Sequence, residues 1–341
     1  MYAAINRQQK IVYASQAASG ESYYCPKCYQ KVSLVMSKRG KAYFRHPISC
    51  QPKSQGESNS HQLAKTVIGH NLASFNYHYQ QEFCLTSSGQ IADLVVFKKD
   101  QKIGRIIEYQ QSQISAEILS QRQQDYESLG YSADWILANF KIKRGFHKTW
   151  LHRCLNYSPR WSYHFWTLDP YQSKLFHYYH LPLVFCKDCY QLTYQCFPAS
   201  QNWLKALEGV LSTRQTKLSF SKTKIMRAQA YSLQRLGLYR QPHYRPYLQQ
   251  IYLLGIGLEN LPAWIFQRSW VILAFDQPAW WVWIQVHLAF LNKVSDLKIY
   301  FKDIMNRGIL TMKRFPLISE PDRMLGQTCL ILEQIYQYLQ K

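Results

Sequence analysis

Residues 91–110 read IADLVVFKKDQKIGRIIEYQ, and this stretch decides the fold. Ile91–Phe97 and Ile103–Gln110 are rich in β-branched and apolar side chains, and the polar run from Lys98 to Lys102 between them predicts a β-hairpin. Because strand side chains alternate, Glu108, Gln110 and Ser112 project from one face, and the hairpin can set Asp93 beside them. Two carboxylates so close repel unless a cation holds them. Hard oxygen donors with an open coordination position suit Mg²⁺ or Mn²⁺.

Upstream, Ser58 or Ser60 caps a helix whose apolar residues Leu63, Val67, Ile68, Leu72 and Phe75 recur at helical spacing. Glu57, His61 and Lys65 follow one another at i, i+4 and i+8, so one face offers an acid, an imidazole and an ammonium. Downstream, Ser115–Leu129 reads as a helix closed by Gly130, and Asp134–Ala138 as a strand. Arg122 and Tyr126, one turn apart on that second helix, are placed to touch a phosphodiester backbone. Helix, hairpin, helix and strand make a compact α/β core, assigned to residues 53–141.

The flanks differ in composition. Residues 1–52 hold short alternating β segments with too few apolar side chains for a core of their own. Cys25-Pro-Lys-Cys28 followed by His46 and Cys50 has the spacing of a tetrahedral Zn²⁺ site that would staple such a module, with Cys50 the least secure ligand. The alternative is a pair of reduced surface thiols. Residues 50–60, CQPKSQGESNS, read as a linker. Residues 142–341 form a mainly helical domain, with helices expected at 203–211, 222–236, 247–258 and 324–339. A second cluster, His177, His180, Cys186, Cys189 and Cys196, is balanced between another zinc site and buried thiols. The apolar stretch Trp270–Leu291 is broken by Asp276, Gln277 and Pro278, which favours a pair of buried elements over a membrane span.

The 341 residues carry 41 Lys and Arg against 20 Asp and Glu, a net charge of +21, and 15% are aromatic. That balance excludes a disordered acidic chain and suits a polyanion, with cations tracking phosphates and rings stacking on unpaired bases. Arg/Tyr mixing at 235–245 and basic runs at 38–41, 141–148 and 217–227 fit single strands. The first twenty residues lack the pattern of a secretory signal, and clustered thiols point the same way, to the reducing cytoplasm.

In order, Cys25-Pro-Lys-Cys28, Phe44-Arg-His46, Glu57-Ser58 with His61 and Lys65, Asp93, Glu108-Tyr-Gln110-Gln-Ser112, Arg122, Tyr126 and Trp135-Ile-Leu form a spaced series. The series resembles the PD-(D/E)XK nuclease superfamily, with its αβββαβ core, and more narrowly is similar to the CoiA family of bacterial competence proteins. The resemblance implies a role in natural transformation: handling internalised single-stranded DNA in the cytoplasm and promoting its recombination, alongside recombination proteins. Under it, Asp93, Glu108 and the Tyr109 carbonyl hold Mg²⁺ or Mn²⁺ with His61 or Glu57, Gln110 orients the attacking water and Lys65 neutralises the phosphate. Gln110 stands where the superfamily has Lys, and a neutral amide can only hydrogen-bond. Two readings follow: a metal-dependent nuclease, or a nuclease fold with weakened chemistry that holds DNA for other proteins. Taken one at a time, these residues favour an ordinary surface; the ordered set reverses that and points to a metal–phosphate site.

Overall fold

The alternation at the amino terminus is realised as five short antiparallel strands, β1 (Ala3–Ile5), β2 (Ile11–Tyr13), β3 (Tyr23–Tyr24), β4 (Lys31–Met36) and β5 (Ala42–Arg45), in the order β2-β1-β3-β4-β5. The structure is a computed structural model that describes residues 3–8, 10–25, 31–37, 40–45, 58–85, 89–98, 103–139, 150–186, 193–209, 238, 241–266 and 270–340. The small sheet closes on a cluster of Ala4, Ala14, Tyr23, Cys25, Val32 and Phe44, with the Tyr23 and Phe44 rings 4.9 Å apart. Cys25 is thus buried in this core, while its expected zinc partners Cys28, His46 and Cys50 lie outside the described residues.

Ser58 caps α1 (Asn59–Ser74), its hydroxyl accepting from the His61 N–H. Next come β6 (Tyr79–Leu85), β7 (Gln90–Phe97) and β8 (Ile103–Gln110), joined antiparallel, then α2 (Ala116–Ser128) capped by Ser115, and β9 (Ser132–Ala138), parallel to β8. The hairpin, both helices and β9 form where periodicity and caps place them. The strand β6, YQQEFCL, lies outside the hairpin read from the residues and stands where the αβββαβ order implied by the resemblance has its first strand. Leu94, Val95, Ile106, Ile107, Trp135, Ile136 and Leu137 are buried, as expected for central strands covered on both faces, each contributing about 1.5–3 kcal/mol.

The chain goes on through β10 (Asn156–Ser158), β11 (Ser162–Asp169), β12 (Lys174–Tyr178), β13 (Val184–Cys186) and β14 (Tyr194–Pro198), so strands continue past residue 141 before helices take over. Three of them extend the central sheet, in the order β14-β12-β11-β9-β8-β7-β6, with β11 parallel to β9. The short helix α3 (Trp203–Leu207) follows. Asn71 of α1 fastens its start, donating to the Ala199 and Gln201 carbonyls at 2.9 Å and accepting from the Trp203 N–H at 3.1 Å.

The described residues cluster into two units, the first drawn from 1–146, 165–177 and 194–213, the second from 147–164, 178–193 and 214–341. The second contains α4 (Arg245–Leu253), β15 (Trp270–Ile272) paired with β13, α5 (Ala279–Leu291), α6 (Leu297–Asn306) and α7 (Pro321–Gln340). Pro278 stands between β15 and α5, the Pro-broken pair of buried elements read from the sequence. Trp281, Val282, Trp283 and Ile284 are buried, so the tryptophan cluster builds a core. No helix among the described residues is long and apolar enough to cross a membrane. The helix expected at 222–236 and the basic runs at 141–148 and 217–227 lie outside the described residues, as do Lys38 and Arg39.

Candidate functional site

The antiparallel register pairs Leu94 with Ile107 and Val95 with Ile106, so Asp93 comes one step further on, opposite Glu108. On its other side β7 pairs with β6 through Leu94–Gln81 and Ala92–Phe83, which brackets Asp93 with Glu82. Glu82, Asp93 and Glu108 therefore form a row of acids across three neighbouring strands. Each has a basic partner on a helix. Lys65 Nζ lies 2.8 Å from Glu82 Oε1, His61 Nε2 lies 3.0 Å from Asp93 Oδ2, and Arg122 donates to Glu108 Oε1 at 2.7 Å.

Local structure explains this order. His61 and Lys65 share one face of α1 one turn apart, and β6 and β7 are neighbours under that face. Gln111, just past β8, ties the start of α1 to the sheet: Ser58 Oγ donates to its Oε1 and its Nε2 donates to Ser60 Oγ, both at 2.6 Å. The Tyr109 ring meets the His61 ring edge-on at 5.4 Å. Glu82 adopts a left-handed φ of 52° inside β6, a conformation disfavoured for a non-glycine residue and held here by the ion pair with Lys65.

Environment separates the two central carboxyls. Burial acts to raise Asp93, but the hydrogen bond and charge of His61, the nearby Lys65 and the Tyr109 N–H at 2.8 Å outweigh it and hold the group below the usual carboxylate range. Glu108, only 2% exposed, is pushed up to about 7 by burial, with Arg122 and the Tyr126 hydroxyl opposing and the charge of Asp93 adding to the rise. These hydrogen bonds end on Asp93 Oδ2 and Glu108 Oε1.

The remaining expected site residues fall as follows. Glu57 lies outside the described residues. Lys65, expected to face a phosphate, is 3% exposed and paired with Glu82, because a buried ammonium needs a counter-charge. Tyr126, expected on a phosphate-facing surface, is fully buried against Glu108, and Arg122 binds the same carboxylate and the Ile91 carbonyl. Gln110 Nε2 donates to the Ser112 carbonyl at 2.8 Å. Sequence reasoning missed Glu82; its one signal is a lone acid in an otherwise uncharged strand.

Among the described residues no three His, Cys, Asp or Glu side chains are gathered closely enough to cage a metal ion. Of the second cysteine and histidine cluster, His177 is buried and stacked on Trp166 at 3.9 Å, Cys186 is buried on β13, and Cys189 is outside the described residues. Cys154 and Cys329 are buried, as small apolar residues are.

Residues 57–209 match the family model described as competence protein CoiA, nuclease-like domain. No curated protein and no solved structure matches the chain. The match spans the acid row, both helices that supply its basic partners, and the sheet out to β14 and α3. Over these residues, somewhat under half of its length, the chain is similar to the nuclease-like domain of the CoiA competence proteins.

Proposed function

We propose that the protein acts in natural transformation by binding internalised single-stranded DNA and cutting it through metal-assisted phosphodiester hydrolysis at Asp93 and Glu108. The observation that carries this reading is the placement of those two carboxylates opposite each other on β7 and β8, with His61 on the first and Arg122 on the second. Two carboxylates, with Glu82 beside them engaged by Lys65, suit Mg²⁺ or Mn²⁺, which keep several waters and take further oxygens from substrate phosphates. Asp93 Oδ1 and Glu108 Oε2 would be the donor atoms. A divalent ion there would lower the pKa of a bound water and offset charge on the phosphate.

The chain's own residues have separate tasks in this reading. His61 and the Tyr109 N–H fix the Asp93 carboxylate and keep it charged. Arg122 and Tyr126 orient Glu108. Lys65, close enough to Asp93 to lower its pKa, adds positive potential on the helix side. A second reading, a DNA-holding module with weak turnover, is favoured by Gln110 in place of Lys and by the engagement of Lys65 with Glu82. End-labelled single strands incubated with Mn²⁺ separate the two: cleavage that Asp93→Asn reduces at least a hundredfold, with binding kept, supports hydrolysis. Intact DNA with the wild-type protein supports the holding module.

A further inference from the structure

At the end of β7 away from the carboxylates, the first unit holds a cavity of about 970 Å³, the upper end of the range for ligand sites. Lys98, at the cavity, follows Asp93 by five steps along the chain, ~17 Å along the strand. Its apolar wall is aromatic: Phe75 and Tyr77 from the exit of α1, and Phe97 with the exposed His78 ring 5.0 Å away. The opposing wall, on α3, is fixed in place. Asn71 anchors the start of that helix, and Asn202 accepts from the Lys205 N–H at 3.0 Å while donating to the Tyr77 hydroxyl at 3.2 Å.

The charges on the cavity are equally defined. Arg105 is engaged by Asp134 through two hydrogen bonds, and Glu208 lies near enough to Arg105 to act on its charge. Lys98 and Lys205 are exposed and line the cavity, the first from the end of β7 and the second from α3. Gly104 makes room for the first of them: a Cβ there would meet Lys98 Cγ at 3.0 Å and the Val96 carbonyl at 3.4 Å.

We propose that this cavity binds a short segment of single-stranded nucleic acid, its bases against the Phe75, Tyr77 and His78 rings and its phosphates on Lys98 and Lys205. Aromatic faces and exposed cations lining one cavity are what takes unpaired bases and their backbone without regard to sequence. The inference rests on the DNA-handling reading above and extends it with a second point of contact. At 3.4 Å per stacked nucleotide, ~17 Å is about five nucleotides, so one strand can reach both places.

The test is fluorescence anisotropy of the full-length protein with labelled oligothymidylates in a salt series. The Lys98→Glu/Lys205→Glu variant is expected to bind at least tenfold more weakly and to lose about 1.4 from the log–log salt slope, the value for two single-strand phosphate contacts. The charge-matched control Lys31→Glu/Lys293→Glu, at two other exposed positions, is expected to keep most of the affinity. Photocrosslinking of a 5-iodouracil oligonucleotide is expected to mark peptides carrying residues 75–78 or 97. Equal losses in the two double variants, or adducts confined to other peptides, would overturn the proposal. Asp93→Asn keeps the distinction from the nuclease reading: loss of cleavage with intact cavity binding tests the first site, and loss of binding with the cavity variant tests this one.

Discussion

Removing the guanidinium of Arg122 tests whether the Glu108 carboxylate is held as an ion pair inside the fold. Glu108 is 2% exposed and accepts from Arg122 at 2.7 Å and from the Tyr126 hydroxyl. Breaking a buried pair from one side costs about 3–5 kcal/mol when the remaining charge stays ionised out of water, so the measurement is made at about pH 9, above the Glu108 value of about 7. The Arg122 side chain is 25% exposed, so the lower end applies. Arg122→Met keeps the apolar stem but also loses the cation over the Trp135 ring at 5.5 Å, a further ~0.5–1 kcal/mol. The expected loss is ~3–4 kcal/mol. In urea, with m about 3 kcal/mol/M, the midpoint of the transition that unfolds the first unit falls by roughly 1 M. Adding Glu108→Gln removes the stranded charge, and the double variant is expected to recover more than half of the loss, a coupling of about 2 kcal/mol. A single-variant loss under about 1 kcal/mol, or a coupling near zero, would refute the ion-pair account.

Two further outcomes concern stability. His164 is 6% exposed, and burial, with a smaller contribution from His180, lowers its pKa to about 3 from the ordinary 6.5. The unfolded chain therefore binds the proton first, and stability present above pH 6.5 is lost as the pH falls from there toward 3. From pH 7.5 to 5 this group alone takes away about 2 kcal/mol, and His164→Gln is expected to flatten that part of a denaturation-versus-pH curve; an unchanged slope would count against it. Gly69→Ala places a Cβ 2.7 Å from the Tyr79 ring where α1 packs on β6. Despite the better helix propensity of Ala, a loss of about 1–3 kcal/mol is expected in thermal unfolding, reversed when Tyr79→Leu makes room.

Much of the fold and part of the site are legible in residues 57–140, since the signals there are local. Ser58, Ser115 and Gly130 bound helices through bonds made within a few residues, and a strand–turn–strand run needs only its own alternation. The hairpin also confines Asp93 and Glu108 to neighbouring strands. The cation partners were another matter: Arg122 and Tyr126 were expected to face DNA, and Lys65 a phosphate, whereas all three are turned to acids inside the protein. A periodicity argument shows which helix residues share a face, but only packing shows what that face covers.

By itself the sequence determined the elements of the central core, their order, and which acids and bases lie near one another along the chain, because helix caps, turns and alternation act over a handful of residues. Tertiary structure decided the pairing of Glu82 with Lys65 and of Glu108 with Arg122, the place of β6 at the sheet edge, and the extension of the sheet through β11, β12 and β14. Those contacts join residues far apart in the chain. They form only when buried charges must find partners and strand edges must find ladders, conditions set by the assembled core and written in no local run of residues.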